Sequence, residues 1–152
     1  MLLTDLLTPD RIRIPLHART KDELLEELVD VVADADPLTD RSELLRAVRE
    51  RESVLSTGIG NGVAIPHGKS VAVPQLRMAA GTAEHEIDFD ALDGQPVRLL
   101  FLLVGPESAA GPHIKALSRI SRIIRQDSVR ERLLNATSAE EFYNALREAE
   151  AG

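Results

Sequence analysis

The chain has 152 residues, 43% of them apolar and 28% charged, which suits one globular domain with a single substantial core. Its formal net charge of −7 argues against general affinity for nucleic acid or anionic membranes, and the lack of cysteine excludes disulfides, thiolate chemistry and cysteine-ligated zinc. The start has no basic leader, and no apolar run approaches the ~20 residues of a membrane span, so we expect a cytoplasmic protein without direct membrane insertion.

The first third of the chain predicts one strand and two helices. Residues 11–16 alternate polar and apolar side chains, as in a half-buried strand. A capping box begins at Thr20, and leucine and valine then recur at helical spacing over residues 21–33. Asp40 opens a second helix in the same way, and the apolar stripe of that helix fades near Glu52.

A glycine-rich segment follows, in which residues 56–70 read STGIGNGVAIPHGKS. Only residues 63–65 look like a strand, so the rest is predicted to be turn and tight backbone. Exposed N–H groups in such turns form anion-binding concavities. The alternative is that the glycines simply permit a tight crossover between the second helix and the next strand.

The remaining residues predict two strands and three helices. Residues 76–83 read as a strand of small side chains, and residues 97–104 read as a central strand buried on both faces. Pro112 suits the first position of a helix, and two further helices follow it, the last of which begins with a capping box at Ser138. The order β-α-α-β-β-β-α-α-α predicts an α/β fold in one domain, residues 1–152, built as a three-layer α/β/α sandwich with a mixed β-sheet.

The glycine segment imitates two nucleotide-binding motifs and satisfies neither. In a P-loop, G-x-x-x-x-G-K-[ST], the tail Gly68-Lys69-Ser70 requires a glycine where Val63 stands. A G-x-G-x-x-G fingerprint that starts at Gly58 meets the same valine. Both motifs also need a helix directly after the loop, where this sequence predicts a strand, so we reject both.

His67 follows Pro66 and precedes Gly68, directly after the predicted strand at residues 63–65. Proline fixes its own φ and glycine permits an unusual turn, so the imidazole is held with little freedom. Neutral imidazole is a good nucleophile near pH 7, and a backbone acceptor can hold one ring N–H and leave the other nitrogen free. We predict that His67 is a nucleophile; the alternative is a structural histidine in a turn.

Two further residues are candidates for binding an anion. His113 opens the helix at Pro112, where the helix N-terminus favours anions and disfavours a protonated histidine. The alternative for His113 is a capping or solvent-facing side chain. Arg51 ends the second helix, and its planar fork suits phosphate. The alternative is that Arg46, Arg49 and Arg51 share one solvated helix face.

The other two histidines, His17 and His85, have no supporting context and read as surface residues. A metal site made of His67, His113 and a carboxylate is a further alternative. It lacks any short-range ligand spacing such as H-x-x-x-H, so the sequence does not favour it.

The stretch from Arg51-Glu52 through STGIGNGVAIPHGK at residues 56–69 resembles the active-site signature of type-2 enzyme IIA domains. These domains belong to the bacterial phosphoenolpyruvate-dependent sugar phosphotransferase system (PTS), and they include fructose- and mannitol-type IIA and the nitrogen-branch regulatory IIA. The resemblance continues through residues 88–91, 100–105 and 113–117. It covers nearly the whole chain; Ile114 stands where leucine is common, a departure on which the chemistry does not depend.

The resemblance assigns roles to the candidate residues. It implies that His67 is phosphorylated as a phosphohistidine intermediate, that Arg51 steadies the phosphoryl group, and that His113 is the second active-site histidine. The phosphate-binding residues expected in the glycine turns are Thr57, Gly58 and Gly68. The family fold is also an α/β/α sandwich, and the implied reaction requires no metal or cofactor.

The implied partners are proteins. A phosphorylated HPr-like carrier donates the phosphoryl group. Positioning and electrostatics dominate the catalysis of this transfer, because the transition state spreads negative charge over three oxygens. The recipient is a IIB domain in a transport IIA; in a regulatory IIA, the phosphorylation state controls binding to a target protein. The amino-acid sequence of residues 57–69 and 88–91 favours the nitrogen branch, with a fructose- or mannitol-type transport IIA as the alternative.

Overall fold

The computed structural model describes residues 2–152, and those residues form six α-helices and six β-strands. The helices are α1 (Leu3–Leu6), α2 (Lys21–Ala35), α3 (Arg41–Val54), α4 (Ala110–Ile124), α5 (Asp127–Leu134) and α6 (Ala139–Ala151). The strands are β1 (Ile12–Leu16), β2 (Gly58–Gly60), β3 (Val63–Ala64), β4 (His67–Lys69), β5 (Arg77–Ile87) and β6 (Val97–Gly105).

The strands form one mixed sheet in the order β1-β5-β6-β3-β2. Strands β5 and β6 are antiparallel, whereas β1 runs parallel to β5 and β3 runs parallel to β6. Strand β4 also pairs with β6, in the register that β3 begins: Val63 lies beside Leu99 and His67 beside Leu103. Strands β3 and β4 are therefore one line along β6, interrupted at Pro66, which has no N–H for a ladder.

Helices cover both faces of this sheet. Leu100 and Leu102 of β6 belong to a core with the buried side chains of α2 and α3. Leu99, Phe101 and Leu103 belong to a second core with α4, α5 and α6. A strand buried on both faces needs a nearly continuous apolar sequence, and the sequence of residues 97–104 is interrupted only by Arg98. The predicted three-layer sandwich with a mixed sheet is confirmed.

The predicted helix caps at Thr20, Asp40 and Ser138 are also confirmed. Each side chain accepts a hydrogen bond from the backbone N–H three residues later, at 3.1–3.2 Å. The return bond differs from a capping box, because Glu23 and Glu141 accept from the residue before the cap rather than from the cap itself. Each cap contributes about 1 kcal/mol to stability.

The structure differs from the sequence-based expectations at several points. Helix α4 begins at Ala110, so Pro112 is its third residue and His113 still lies in its first turn. Strand β5 continues past residue 83 to Ile87, which pairs with Val97 of β6. The glycine segment holds the short strands β2 and β4 in addition to β3. No helix within residues 2–152 has both the length and the apolar character to cross a membrane.

Candidate active site

His67 is the first residue of β4 and lies at the edge of the sheet beside the carboxyl end of β6. Its Nδ1 atom is 2.9 Å from the carbonyl oxygen of Ile65. A carbonyl oxygen can only accept, so Nδ1 carries the proton and Nε2 of the neutral ring keeps a free lone pair. The half-buried ring lines a cleft of about 570 Å³.

His113 lines the same cleft from the first turn of α4. The two imidazole rings meet edge to face, with centroids 5.3 Å apart and planes at 74°. Burial lowers the pKa of His113, and the nearby His67 and Lys69 lower it further. The ring of His113 is therefore neutral near pH 7 and has one N–H to donate.

Arg51 reaches the cleft from the last turn of α3. Its Nη1 donates to the carbonyl oxygen of Leu55 at 2.8 Å. Arg46 and Arg49 each pair with two carboxylates, whereas within residues 2–152 no carboxylate forms an ion pair with Arg51. The three arginines thus differ in environment, and Arg51 keeps N–H groups that could donate hydrogen bonds to an anion.

Gly68 also lines the cleft, and its lack of a side chain lets α3 approach β4 closely. A Cβ atom at this position would lie 3.3 Å from the carbonyl carbon and oxygen of Ala47 and from the backbone nitrogen of Val48. This close approach brings Arg51, one turn further along α3, towards His67 on β4.

Thr57 and Gly58 lie outside the cleft, and the structure does not place them as phosphate ligands. The Thr57 N–H donates to the Glu52 carboxylate at 2.9 Å, and the Gly58 N–H donates to the Ser56 hydroxyl at 3.1 Å. Both groups already have partners inside the protein, so we do not propose them for phosphate binding. The sequence displays these N–H groups without showing that Glu52 and Ser56 are their acceptors.

Sequence reasoning missed several residues that line the cleft. These are Arg46, Ala47, Glu50, Val54, Lys69 and Leu117. Periodicity could have found some of them. Leu117 lies one helical turn after His113, and Lys69 lies two residues after His67, on the same side of a strand. His17 and His85 do not line the cleft, and each lies beside the carboxylate of Glu84.

The cleft therefore combines a held imidazole with a free Nε2, a neutral imidazole with an N–H to donate, and a guanidinium that forms no ion pair with any carboxylate of residues 2–152. This set suits a phosphoryl group, which needs a nucleophile and donors for its oxygens. Within the described part of the chain, no group of three His, Cys, Asp or Glu side chains is arranged to hold a metal ion.

The chain is similar to known proteins over nearly the whole of its own length. Residues 5–149 match the family described as phosphoenolpyruvate-dependent sugar phosphotransferase system, EIIA 2. The PTS system fructose-specific EIIABC component of Bacillus subtilis is 36% identical over 148 residues, which are 97% of this chain but only 23% of that protein. The nitrogen regulatory protein of Bradyrhizobium diazoefficiens is 36% identical over 146 residues, which are 96% of this chain and 95% of that protein.

Solved structures of EIIA proteins also resemble this chain. The nitrogen regulatory protein IIA-Ntr of Neisseria meningitidis superimposes with a TM-score of 0.87 at 34% identity, covering 95% of this chain and 98% of that one. Enzyme IIA of the mannitol system of Escherichia coli, solved in complex with phosphorylated enzyme IIB, shares the fold with a TM-score of 0.76 at 20% identity, covering 91% and 95%. The chain therefore belongs to the type-2 EIIA family of the phosphoenolpyruvate-dependent sugar phosphotransferase system.

Proposed function

We propose that the protein is a phosphoryl carrier in which Nε2 of His67 accepts the group from a phosphorylated HPr-like protein. The observation that carries this proposal is the bond from Nδ1 of His67 to the carbonyl oxygen of Ile65. That bond fixes the tautomer and leaves Nε2 as the nucleophilic nitrogen. Membership of a family that forms part of a phosphotransferase system supports the same reaction.

In the proposed step the Nε2 lone pair forms a new N–P bond while the N–P bond of the donor's phosphohistidine breaks. The electron pair of the broken bond stays on the donor's ring nitrogen. The Nδ1 proton of His67 stays in place, and the Ile65 carbonyl stabilises the positive charge that the ring gains. Arg51 and the neutral His113 donate to the phosphoryl oxygens as negative charge spreads over them. These residues supply all the chemistry that the proposed step requires.

Exposed apolar side chains beside the cleft support a protein as the donor. Val54, which lines the cleft, is 78% exposed, and the next residue in the chain, Leu55, is 61% exposed. Ile114, the residue after His113, is 67% exposed. Apolar side chains grouped around a polar centre are typical of surfaces that bind other proteins. We propose that the donor and this protein meet in the cytoplasm.

For the fate of the phosphoryl group we propose the nitrogen-regulatory branch, in which phosphorylation controls binding to a target protein. The match to a nitrogen regulatory protein over nearly its whole length, and the close superposition on IIA-Ntr, support this branch. Transfer to a IIB domain during sugar uptake is the second candidate, because a fructose-specific relative is equally identical over the aligned residues.

The two branches differ in whether a IIB domain accepts the group. The full chain would be phosphorylated by a purified phosphorylated HPr carrier, separated from it, and incubated with purified fructose-type and mannitol-type IIB domains. We expect the label to stay on this protein. Rapid transfer to either IIB domain would instead assign the protein to transport, and His67→Ala, which should not be labelled, serves as the control.

A further inference from the structure

Glu52 is a buried carboxylate that the proposed phosphoryl transfer does not use. Its side chain is 5% exposed and forms an ion pair with Lys21, whose Nζ atom is 3.0 Å away. It also accepts hydrogen bonds from the Thr57 backbone N–H at 2.9 Å and from the Thr57 hydroxyl at 2.5 Å. A buried carboxylate is tolerated only when donors surround it, so these contacts fix Thr57 firmly to the end of α3.

Thr57 in turn contacts the segment that holds the nucleophile. Its carbonyl oxygen accepts a hydrogen bond from the Ile65 N–H at 3.0 Å. The carbonyl oxygen of Ile65 is the acceptor for Nδ1 of His67. A continuous series of hydrogen bonds and backbone therefore leads from Glu52 through Thr57 and Ile65 to the imidazole of His67.

The contact between Glu52 and Thr57 also restrains the hydrogen-bond partner of Arg51. The carbonyl oxygen that accepts from Arg51 belongs to Leu55, between the end of α3 and Thr57. Since Glu52 binds Thr57, the intervening backbone is held at both ends. The next residue, Ser56, is held as well, because its hydroxyl donates to the carbonyl oxygen of Phe89 at 2.7 Å.

We propose that Glu52 and Thr57 are positioning residues that together keep His67 in its Nδ1–H tautomer and orient the guanidinium of Arg51. Their catalytic importance rests on the proposed phosphoryl transfer, whereas their effect on the tautomer of His67 does not. Thr57 thus acts through Ile65 rather than by touching phosphate.

The chain contains a matched control in Glu150. This carboxylate also accepts from a threonine, with Thr4 donating its N–H at 3.0 Å and its hydroxyl at 3.2 Å, and it lies 3.6 Å from a cation, Arg119. It joins α6 to α1, and neither Glu150 nor these two partners line the cleft. We therefore expect that removing the same kind of contact there changes stability without changing the site.

The first test reads the tautomer of His67 directly by long-range ¹H–¹⁵N NMR on the full ¹⁵N-labelled chain at about pH 8, where histidines are neutral. We expect the Nδ1–H form alone in the wild type, and about a tenth or more of the molecules in the Nε2–H form in Thr57→Val and Glu52→Gln. Thr57→Ser, Thr4→Val and Glu150→Gln should match the wild type. A single Nδ1–H tautomer in both Thr57→Val and Glu52→Gln would overturn the proposal. If one of these two does not fold, the other decides.

The second test measures transfer from a purified phosphorylated HPr carrier. Thr57→Val and Glu52→Gln should lower the maximal rate about tenfold, because small displacements of reacting groups are costly. The carrier concentration for half-maximal rate should change less than about twofold, since the exposed surface is untouched. Thr57→Ser should restore the rate. Equal losses in Thr4→Val and Glu150→Gln would reduce the effect to general destabilisation and overturn the proposal. If even the wild type accepts no phosphoryl group, the proposed function fails, and the tautomer result still decides the positioning role.

Discussion

The imidazole rings of His67 and His113 meet edge to face at a centroid separation of 5.3 Å, although the residues lie on different elements. Strand β4 carries His67 beside β6, and α4, which carries His113, begins soon after β6 ends. Because burial lowers the pKa of His113, His67 faces a neutral ring near pH 7 rather than a like charge. The pair is thus arranged for one ring to attack phosphorus while the other donates to its oxygens.

Acid should destabilise the protein in part through His113. Its pKa in the folded protein is lowered below the unfolded value of about 6.5. Between these two values the unfolded chain binds more protons, so stability falls as the pH drops from about 6.5 towards the folded pKa. We expect the Tm of the wild type to fall more between about pH 7.5 and about pH 5.5 than that of His113→Gln. Equal falls would show that His113 is not held neutral by the fold.

Replacing Arg51 should affect transfer rather than folding. Arg51→Ala removes the only guanidinium at the cleft within residues 2–152 that lacks a carboxylate partner, and we expect the maximal rate to fall about 100-fold. The Tm should stay close to that of the wild type. Arg49→Ala is the control, because Arg49 pairs with Asp22 and Glu26 and does not line the cleft. An Arg51→Ala rate within about twofold of the wild type would remove Arg51 from the site.

Adding a methyl group at Gly68 should loosen the contact between β4 and α3. Its Cβ would lie 3.3 Å from the α3 backbone, which must move to make room. We expect Gly68→Ala to lower the free energy of unfolding by about 1–3 kcal/mol and to slow transfer. Gly111→Ala is the control for stability: it has open space and lies in a helix, so it should raise stability by up to about 1 kcal/mol. Denaturant titration of both variants measures the difference, and no loss of stability in Gly68→Ala would contradict the packing described here.

The layers of the fold were predictable because they depend on patterns local to each element. The nearly continuous apolar sequence of β6, interrupted only by Arg98, requires helices on both faces. The caps at Thr20, Asp40 and Ser138 set where three helices begin. Strands β2 and β4 were not predicted, because glycine-rich stretches this short carry no periodic signal. Helix α1 was missed for another reason: Glu150, near the other end of the chain, accepts from its first N–H groups.

The site was predictable in part. The surroundings of His67 in the sequence indicate a restrained imidazole, but they do not show that Ile65 holds its Nδ1. The expectation that Thr57 and Gly58 bind phosphate was reasonable for exposed turns. It could not anticipate Glu52, a charged residue that a helical pattern places on the surface and that the fold buries beside Thr57. Contacts of this kind depend on how separate elements pack.

The central claim is that Nε2 of His67 receives the phosphoryl group, and ¹⁵N and ³¹P NMR of the phosphorylated full chain tests it most directly. The ¹⁵N-labelled wild type and His67→Ala would each be incubated with a purified phosphorylated HPr carrier and then separated from it. We predict one phosphohistidine signal in the wild type, with phosphorus bonded to Nε2 of His67, and no signal in His67→Ala. Phosphorus on Nδ1, or a phosphorylated His67→Ala variant, would contradict the account.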